Sequence, residues 1–130
     1  MIDTSLFPPG WAPLFDGRVL VVFLSSGCGQ CKTWVPILNA AHVRSDFPHV
    51  VAVLGDETEV VEEFVRENRV QFPVTTVSEK RFLEHITRTP MALLVRNEVV
   101  TDRWTWFLPR DFVAPLATAR SVATQPAPAS

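Results

Sequence analysis

The sequence predicts an α/β fold built on a central mixed sheet, and three observations carry that prediction. Two short valine-rich apolar runs, Arg18 to Leu24 and Val50 to Leu54, read as strands covered on both faces. The span between them suits a helix, which closes a βαβ unit whose hand is nearly always right-handed. Further on, Met91 to Arg96 and Val99 to Phe107 flank Asn97-Glu98, the length of a two-residue hairpin turn.

Taken in order, residues 1–17 carry prolines at 8, 9 and 13 and glycines at 10 and 17, which predicts an irregular lead-in ending in an Asp16-Gly17 turn. After the first strand, a helix should start at the two cysteines and run to about Asp46. Glu57 to Asn68 places apolar residues at 60, 61, 64 and 65 among charges, the pattern of an amphipathic helix. Pro73 to Val77 reads as a third strand, with proline at its first position, where a missing N–H is tolerated. Glu79 to Ile86 is a short helix. Asp111 to Arg120 is a last helix, with Pro115 blurring its start. The organisation is thus a lead-in over 1–17, one domain over 18–120 and a disordered Ala/Pro/Ser/Thr tail over 121–130.

At 130 residues the chain is one domain that can bury about two thirds of its unfolded surface without a disulfide or metal. Its two cysteines are therefore free for chemistry. Net charge is −2, with basic and acidic residues interleaved, so nothing argues for nucleic acid or a membrane surface. The first residues lack the basic start and apolar run of a signal peptide, and no run of about 18 apolar residues could span a bilayer. The expectation is a cytoplasmic monomer as written. The alternative is an exported or anchored domain whose leader has been removed.

Cys28 and Cys31 lie three apart in Gly27-Cys28-Gly29-Gln30-Cys31, directly after the first strand. The C-terminal edge of such a sheet is where chemistry collects. A helix beginning there offers free N–H groups and a positive dipole end, which favour a thiolate over a thiol. Cys28, at the turn, is the expected nucleophile. Cys31, one helical turn deeper, is the expected resolving thiol.

The run Cys28-Gly29-Gln30-Cys31-Lys32, with Pro36 five residues on, resembles the thioredoxin signature. Thr89-Pro90, just before Met91-Ala92-Leu93-Leu94-Val95, resembles that superfamily's cis-proline. The resemblance covers roughly residues 16–118. It implies a thioredoxin-like three-layer α/β/α fold with a helix and strand inserted between the first βαβ unit and the cis-proline hairpin. That insertion, about Glu57 to Val77, is similar to the TlpA/ResA/MauD-like branch, whose members are commonly membrane-anchored on the oxidising side.

What the resemblance implies for function is a thiol–disulfide oxidoreductase exchanging disulfides with protein substrates. It would need no cofactor beyond its own Cys28–Cys31 disulfide and a redox partner. Gly27, Gly29, Gln30, Thr89 and Pro90 would border the substrate. Three departures stand out: Gly27 replaces a tryptophan, Gln30 replaces a proline, and Val22 stands where a buried aspartate accepts the second cysteine's proton. Asp56 and Glu57, just past the parallel second strand, are candidate proton-transfer groups in its place.

Other readings are weaker. Cys28, Cys31, His42 and His49 have a spacing close to that of a zinc finger. His42, however, falls on the same helix, about 16 Å from Cys31, so no metal is expected. Of the histidines, His85 is the one near Thr89-Pro90. Peroxide reduction wants Pro and Thr where Val21 and Ser25 stand. Trp104 and Trp106 share one face of the last strand by alternation, which suggests core, and Trp34 should pack under the cysteines. A thioredoxin fold kept as an interaction or assembly module is the competing function.

Overall fold

In a computed structural model that describes residues 1–86, 88–110, 112 and 113, the chain forms a five-stranded mixed sheet between two covering layers. The strands are β1 (Arg18–Leu24), β2 (His49–Leu54), β3 (Val74–Thr76), β4 (Met91–Arg96) and β5 (Val99–Thr105). The helices are α1 (Gly29–His42), α2 (Thr58–Asn68) and α3 (Glu79–His85). The sheet order is β3-β2-β1-β4-β5. The β1–β2 and β2–β3 pairs are parallel, and the β1–β4 and β4–β5 pairs antiparallel.

The order of connections decides what covers each face. From β1 to β2 to β3 the chain steps twice in one direction along the sheet, so both crossover helices fall on the same side. Leu20, Val22 and Leu24 of β1 face that side, against Trp34, Val35 and Leu38 of α1 and Val61 and Phe64 of α2. Val19, Val21 and Phe23 face the other side, where Ile2, Leu6, Phe7 and Phe15 of the lead-in pack with Phe82 of α3. Every residue of β1 after Arg18 is buried, which is why the strand reads as a continuous apolar run.

The lead-in, expected to be irregular, is wound into 3₁₀ turns over Thr4–Leu6 and Pro9–Phe15. Asp3 caps the first turn by accepting the Ser5 N–H, and the Ile2 N–H donates to the Glu98 carbonyl, 2.9 Å away. Gly55, at the end of β2, has no room for a side chain: a Cβ there would come within 2.6 Å of the Phe82 Cβ.

Element ends differ from expectation where local chemistry intervenes. The first helix stops at His42 rather than near Asp46, because Val43 to Phe47 turn back toward Pro48 and β2. There Arg44 makes a bidentate ion pair with Asp46 at 2.8–2.9 Å. The second helix stops at Arg69 in a left-handed cap, φ 54°. The hairpin turn at Asn97 and Glu98 has φ 49° and 70°, the two positive angles of a type I′ turn. The last strand ends at Thr105, two residues short of expectation. A bulge between Leu94 and Val95 shifts its register, so that Trp104 lies opposite Ala92. The last helix expected over 111–120 lies outside the described residues apart from 112 and 113, and the tail over 121–130 lies wholly outside them.

Candidate active site

The site is assembled from loops at one edge of the sheet. Where β1 ends, the chain turns through Ser25 to Gly27 and enters α1 with Cys28 as the N-cap residue. An N-cap side chain ordinarily supplies an oxygen to the helix's free N–H groups. Here a sulfur does so: the Cys31 N–H donates to the Cys28 Sγ, 3.0 Å away. The Cys28 and Cys31 sulfurs are joined as a disulfide with a Cα–Cα distance of 5.2 Å. Cys28 is half-buried between the exposed Gly27 and Gly29, whereas Cys31 is fully buried. An incoming sulfur can therefore reach Cys28 first. The bond from the Cys31 N–H, together with the helix's N-terminal dipole, stabilises negative charge on Cys28 once the pair is reduced.

Three further loops fasten this turn. From the β2 side, the Asp56 carboxylate accepts the Ser26 N–H at 3.0 Å. From the segment before β4, the Thr89 hydroxyl lies 3.4 Å from that of Ser25. The Thr89–Pro90 peptide is cis, and Pro90 is buried. From beyond β5, the Trp106 carbonyl accepts two bonds from α1, one from Gln30 Nε2 at 2.7 Å and one from Trp34 Nε1 at 3.1 Å. The Trp106 N–H in turn donates to the Pro90 carbonyl at 3.0 Å. A cleft of about 470 Å³ runs beside Gly27, between Asp56 and Thr89.

The structure thus brings Gly27, Cys28, Gly29, Gln30, Cys31, Thr89 and Pro90 to one edge, with Asp56 attached to the same loop. Glu57 stands apart as the exposed residue before α2, with no side-chain bond to the helix start. His49 opens β2 at the opposite edge of the sheet, and His42 ends α1, so neither stands with the cysteines. His85 is engaged by the Asp3 carboxylate and the Arg81 carbonyl instead. Val22 is fully buried on the α1 face, in a row across the sheet with Trp104, Ala92, Ala52 and Val74. Trp34 packs under the cysteines as expected.

Of the two tryptophans expected to share one strand face, only Trp104 packs against the core. Trp106 lies past the end of β5 with φ 69° and is exposed. A bulky aromatic gives no sequence signal for a left-handed turn, which ordinarily selects Gly or Asn. The contribution of Ser25 was equally hidden, since its bond spans 64 positions of chain.

No protein-family model matches the sequence, and no curated protein matches it. Solved structures match its shape. A protein assigned as thiol:disulfide interchange protein DsbE of Chlorobium tepidum gives a TM-score of 0.68 at 25% identity, over 83% of this chain and 82% of that one. The fold is thioredoxin-like. StoA of Bacillus subtilis gives a TM-score of 0.63 at 20% identity, over 78% of this chain and 83% of that one. A secreted disulfide oxidoreductase of Mycobacterium tuberculosis gives 0.65 at 14%, over 83% and 85%. The thioredoxin-like chain is thus similar to thiol:disulfide interchange proteins, in keeping with the TlpA/ResA-like resemblance of its sequence. Among the described residues, no helix is long and apolar enough to cross a membrane.

Proposed function

We propose that this thioredoxin-like chain is a thiol–disulfide oxidoreductase acting on protein substrates through Cys28 and Cys31. The observation that carries the reading is the half-buried Cys28 Sγ at the start of α1, bonded by the Cys31 N–H and flanked by the cis Thr89–Pro90 segment. In the reducing direction, the Cys28 thiolate attacks one sulfur of the substrate disulfide. The substrate S–S bond breaks, and its other sulfur leaves as a thiolate that takes up a proton. Cys31 then gives up its proton and attacks Cys28, closing the Cys28–Cys31 disulfide and releasing the second substrate thiol. The substrate gains two electrons, and a redox partner returns them to the protein; oxidation is the same sequence reversed.

The cysteine pair itself serves as the redox group, with no other cofactor in the scheme. Proton transfer from Cys31 is assigned to Asp56, whose carboxylate already sits on the loop before Cys28, in preference to the exposed Glu57. An exported compartment suits disulfide exchange in either direction, and the Mycobacterium tuberculosis protein of this shape is described as secreted.

A second reading, a thioredoxin-fold assembly module with little turnover, draws support from Val22, whose apolar side chain offers Cys31 no proton acceptor. One experiment separates the two. Wild-type protein should reduce insulin in the presence of a dithiol, and Cys28→Ser should abolish the reaction. Cys31→Ser should accumulate mixed disulfides with its substrate. Turnover that survives Cys28→Ser, or a wild type without turnover, would sink the enzymatic reading.

A further inference from the structure

Trp106 occupies a backbone region that is unfavourable for a bulky side chain, and such conformations persist only where the surroundings over-determine them. Three hydrogen bonds do so here. Its N–H is held by Pro90, and its carbonyl is held by Gln30 and Trp34. One of these partners is the cis-proline and another stands between the two cysteines, so the turn after β5 is tied to both borders of the reaction centre.

The consequence is an exposed aromatic pair. Continued alternation along β5 would carry residue 106 to the same face as Trp104, into the core. The turn instead leaves Trp106 42% exposed and Phe107 69% exposed. Among the described residues these are the only exposed aromatics. A protein ordinarily gains by burying such side chains, and apolar side chains left exposed beside a reaction centre are available to a binding partner.

We propose that Trp106 and Phe107 are specificity-determining residues that hold an apolar side chain of the polypeptide carrying the target disulfide. The occupant follows from position and rests on the disulfide-exchange reading. A polypeptide whose sulfur reaches Cys28 must lie across the segments to which Trp106 is tied. The aromatic pair then selects substrates with an apolar residue close to the reacting cysteine, as in an unfolded or partly folded chain.

Single-turnover reaction of the reduced protein with two disulfide-linked peptides tests this. The peptides differ only in bearing leucine or serine beside the cysteine. Wild-type protein should react about tenfold faster with the leucine peptide, the low end of what an apolar pocket gives one side chain. In Trp106→Asn, which keeps a residue tolerant of the left-handed turn, and in Phe107→Ala, that ratio should fall toward one. A merely structural role would slow both peptides equally and leave the ratio intact, which would overturn the proposal. So would concentration-dependent self-association of the wild type that Trp106→Asn removes, since it would assign the pair to a second copy of the chain. Wild-type protein that reacts with neither peptide would defeat the disulfide-exchange reading itself. Reaction with both at equal rates would defeat only the aromatic anchor.

Discussion

The two faces of the sheet are equally buried and built in different ways. One face is covered by α1 and α2, the regular crossover helices of the parallel strands, and it holds Cys31. The other is covered by the 3₁₀ turns of the lead-in together with α3, and neither cysteine is part of it. Adjacent residues of one strand, Val21 and Val22, belong to opposite faces, and both are fully buried. Both faces stabilise the fold, but Cys31 packs on the α1 side alone, and the other side meets the site only at its edge, where Phe82 and Ile86 line the cleft beside Gly27.

A buried acid on each face breaks that symmetry most sharply. Val21→Asp and Val22→Asp should each cost at least about 3 kcal/mol at neutral pH, since each leaves a buried charge without a partner. Burial raises such a carboxyl's pKa above its unfolded value, so the native state binds the extra proton. The penalty therefore grows as pH rises above about 4 and is relieved in acid. Denaturant midpoints measured against pH should show this for both variants. Only Val22→Asp should also change the pH profile of the second step, the attack of Cys31 on the mixed disulfide. Its neighbours across the sheet, Ala52 and Ala92, are small, and Cys31 packs on the same face. Identical kinetic profiles for the two variants would refute the division.

Aromatic truncations sharpen the same contrast at similar or slightly lower cost. Trp34 and Phe15 are both almost fully buried, on the α1 face and the lead-in face respectively. Each should lose about 3–5 kcal/mol on replacement by alanine. Trp34→Ala also removes a hydrogen bond to the Trp106 carbonyl, so it should change the rate of disulfide exchange under conditions where both variants are folded. Phe15→Ala should leave that rate at the wild-type value, and a matching fall in both would count against a chemically silent lead-in face.

How much of this was legible in the sequence follows the same division. The strands β1, β2 and β4, the cysteine-capped helix and the Asn97-Glu98 turn all rest on local signals: apolar runs, an amphipathic period, a short polar interruption. They fall where the sequence places them, except that the helix stops at His42, short of Asp46. In the lead-in, prolines 8, 9 and 13 signal only the absence of α-helix and strand; its short 3₁₀ turns carry no periodic signal and rest on a few anchoring side chains, here Leu6, Phe7 and Phe15. Trp106 escaped because its conformation is set by Pro90, Gln30 and Trp34, which are remote in sequence. Cys28 and Cys31 are legible from their spacing at the end of a strand, and Thr89 and Pro90 from the resemblance to the thioredoxin cis-proline. The bonds from Asp56, Ser25 and Gln30 that hold the site exist only once the sheet has formed.

The smallest effect concerns how the lead-in is fastened. The Asp3 carboxylate accepts bonds from the Ser5 N–H and hydroxyl and faces Arg81 at 3.1 Å and His85 at 3.2 Å on α3. Its carboxyl is held below the ordinary aspartate range, chiefly by the Ser5 hydroxyl; desolvation, the next-largest influence, opposes this, and the Ser5 N–H, His85 and Arg81 add to the lowering. A depressed folded pKa means that the stabilisation is complete above the unfolded value, about 4, and is lost as pH falls through the lower folded value. Because the group is partly exposed, the contribution should be at most about 1 kcal/mol. Hydrogen exchange at the Ile2 and Leu6 amides, normalised to intrinsic rates, should show protection at pH 6 that declines below about pH 4. In Asp3→Asn the protection should be weaker at pH 6 and nearly independent of pH across that range. Wild-type protection in the variant would mean that the apolar contacts of Leu6, Phe7 and Phe15 alone hold the lead-in. Exchange at amides of β1 and β2 should not change, since both strands are buried between the two layers whether or not Asp3 is engaged.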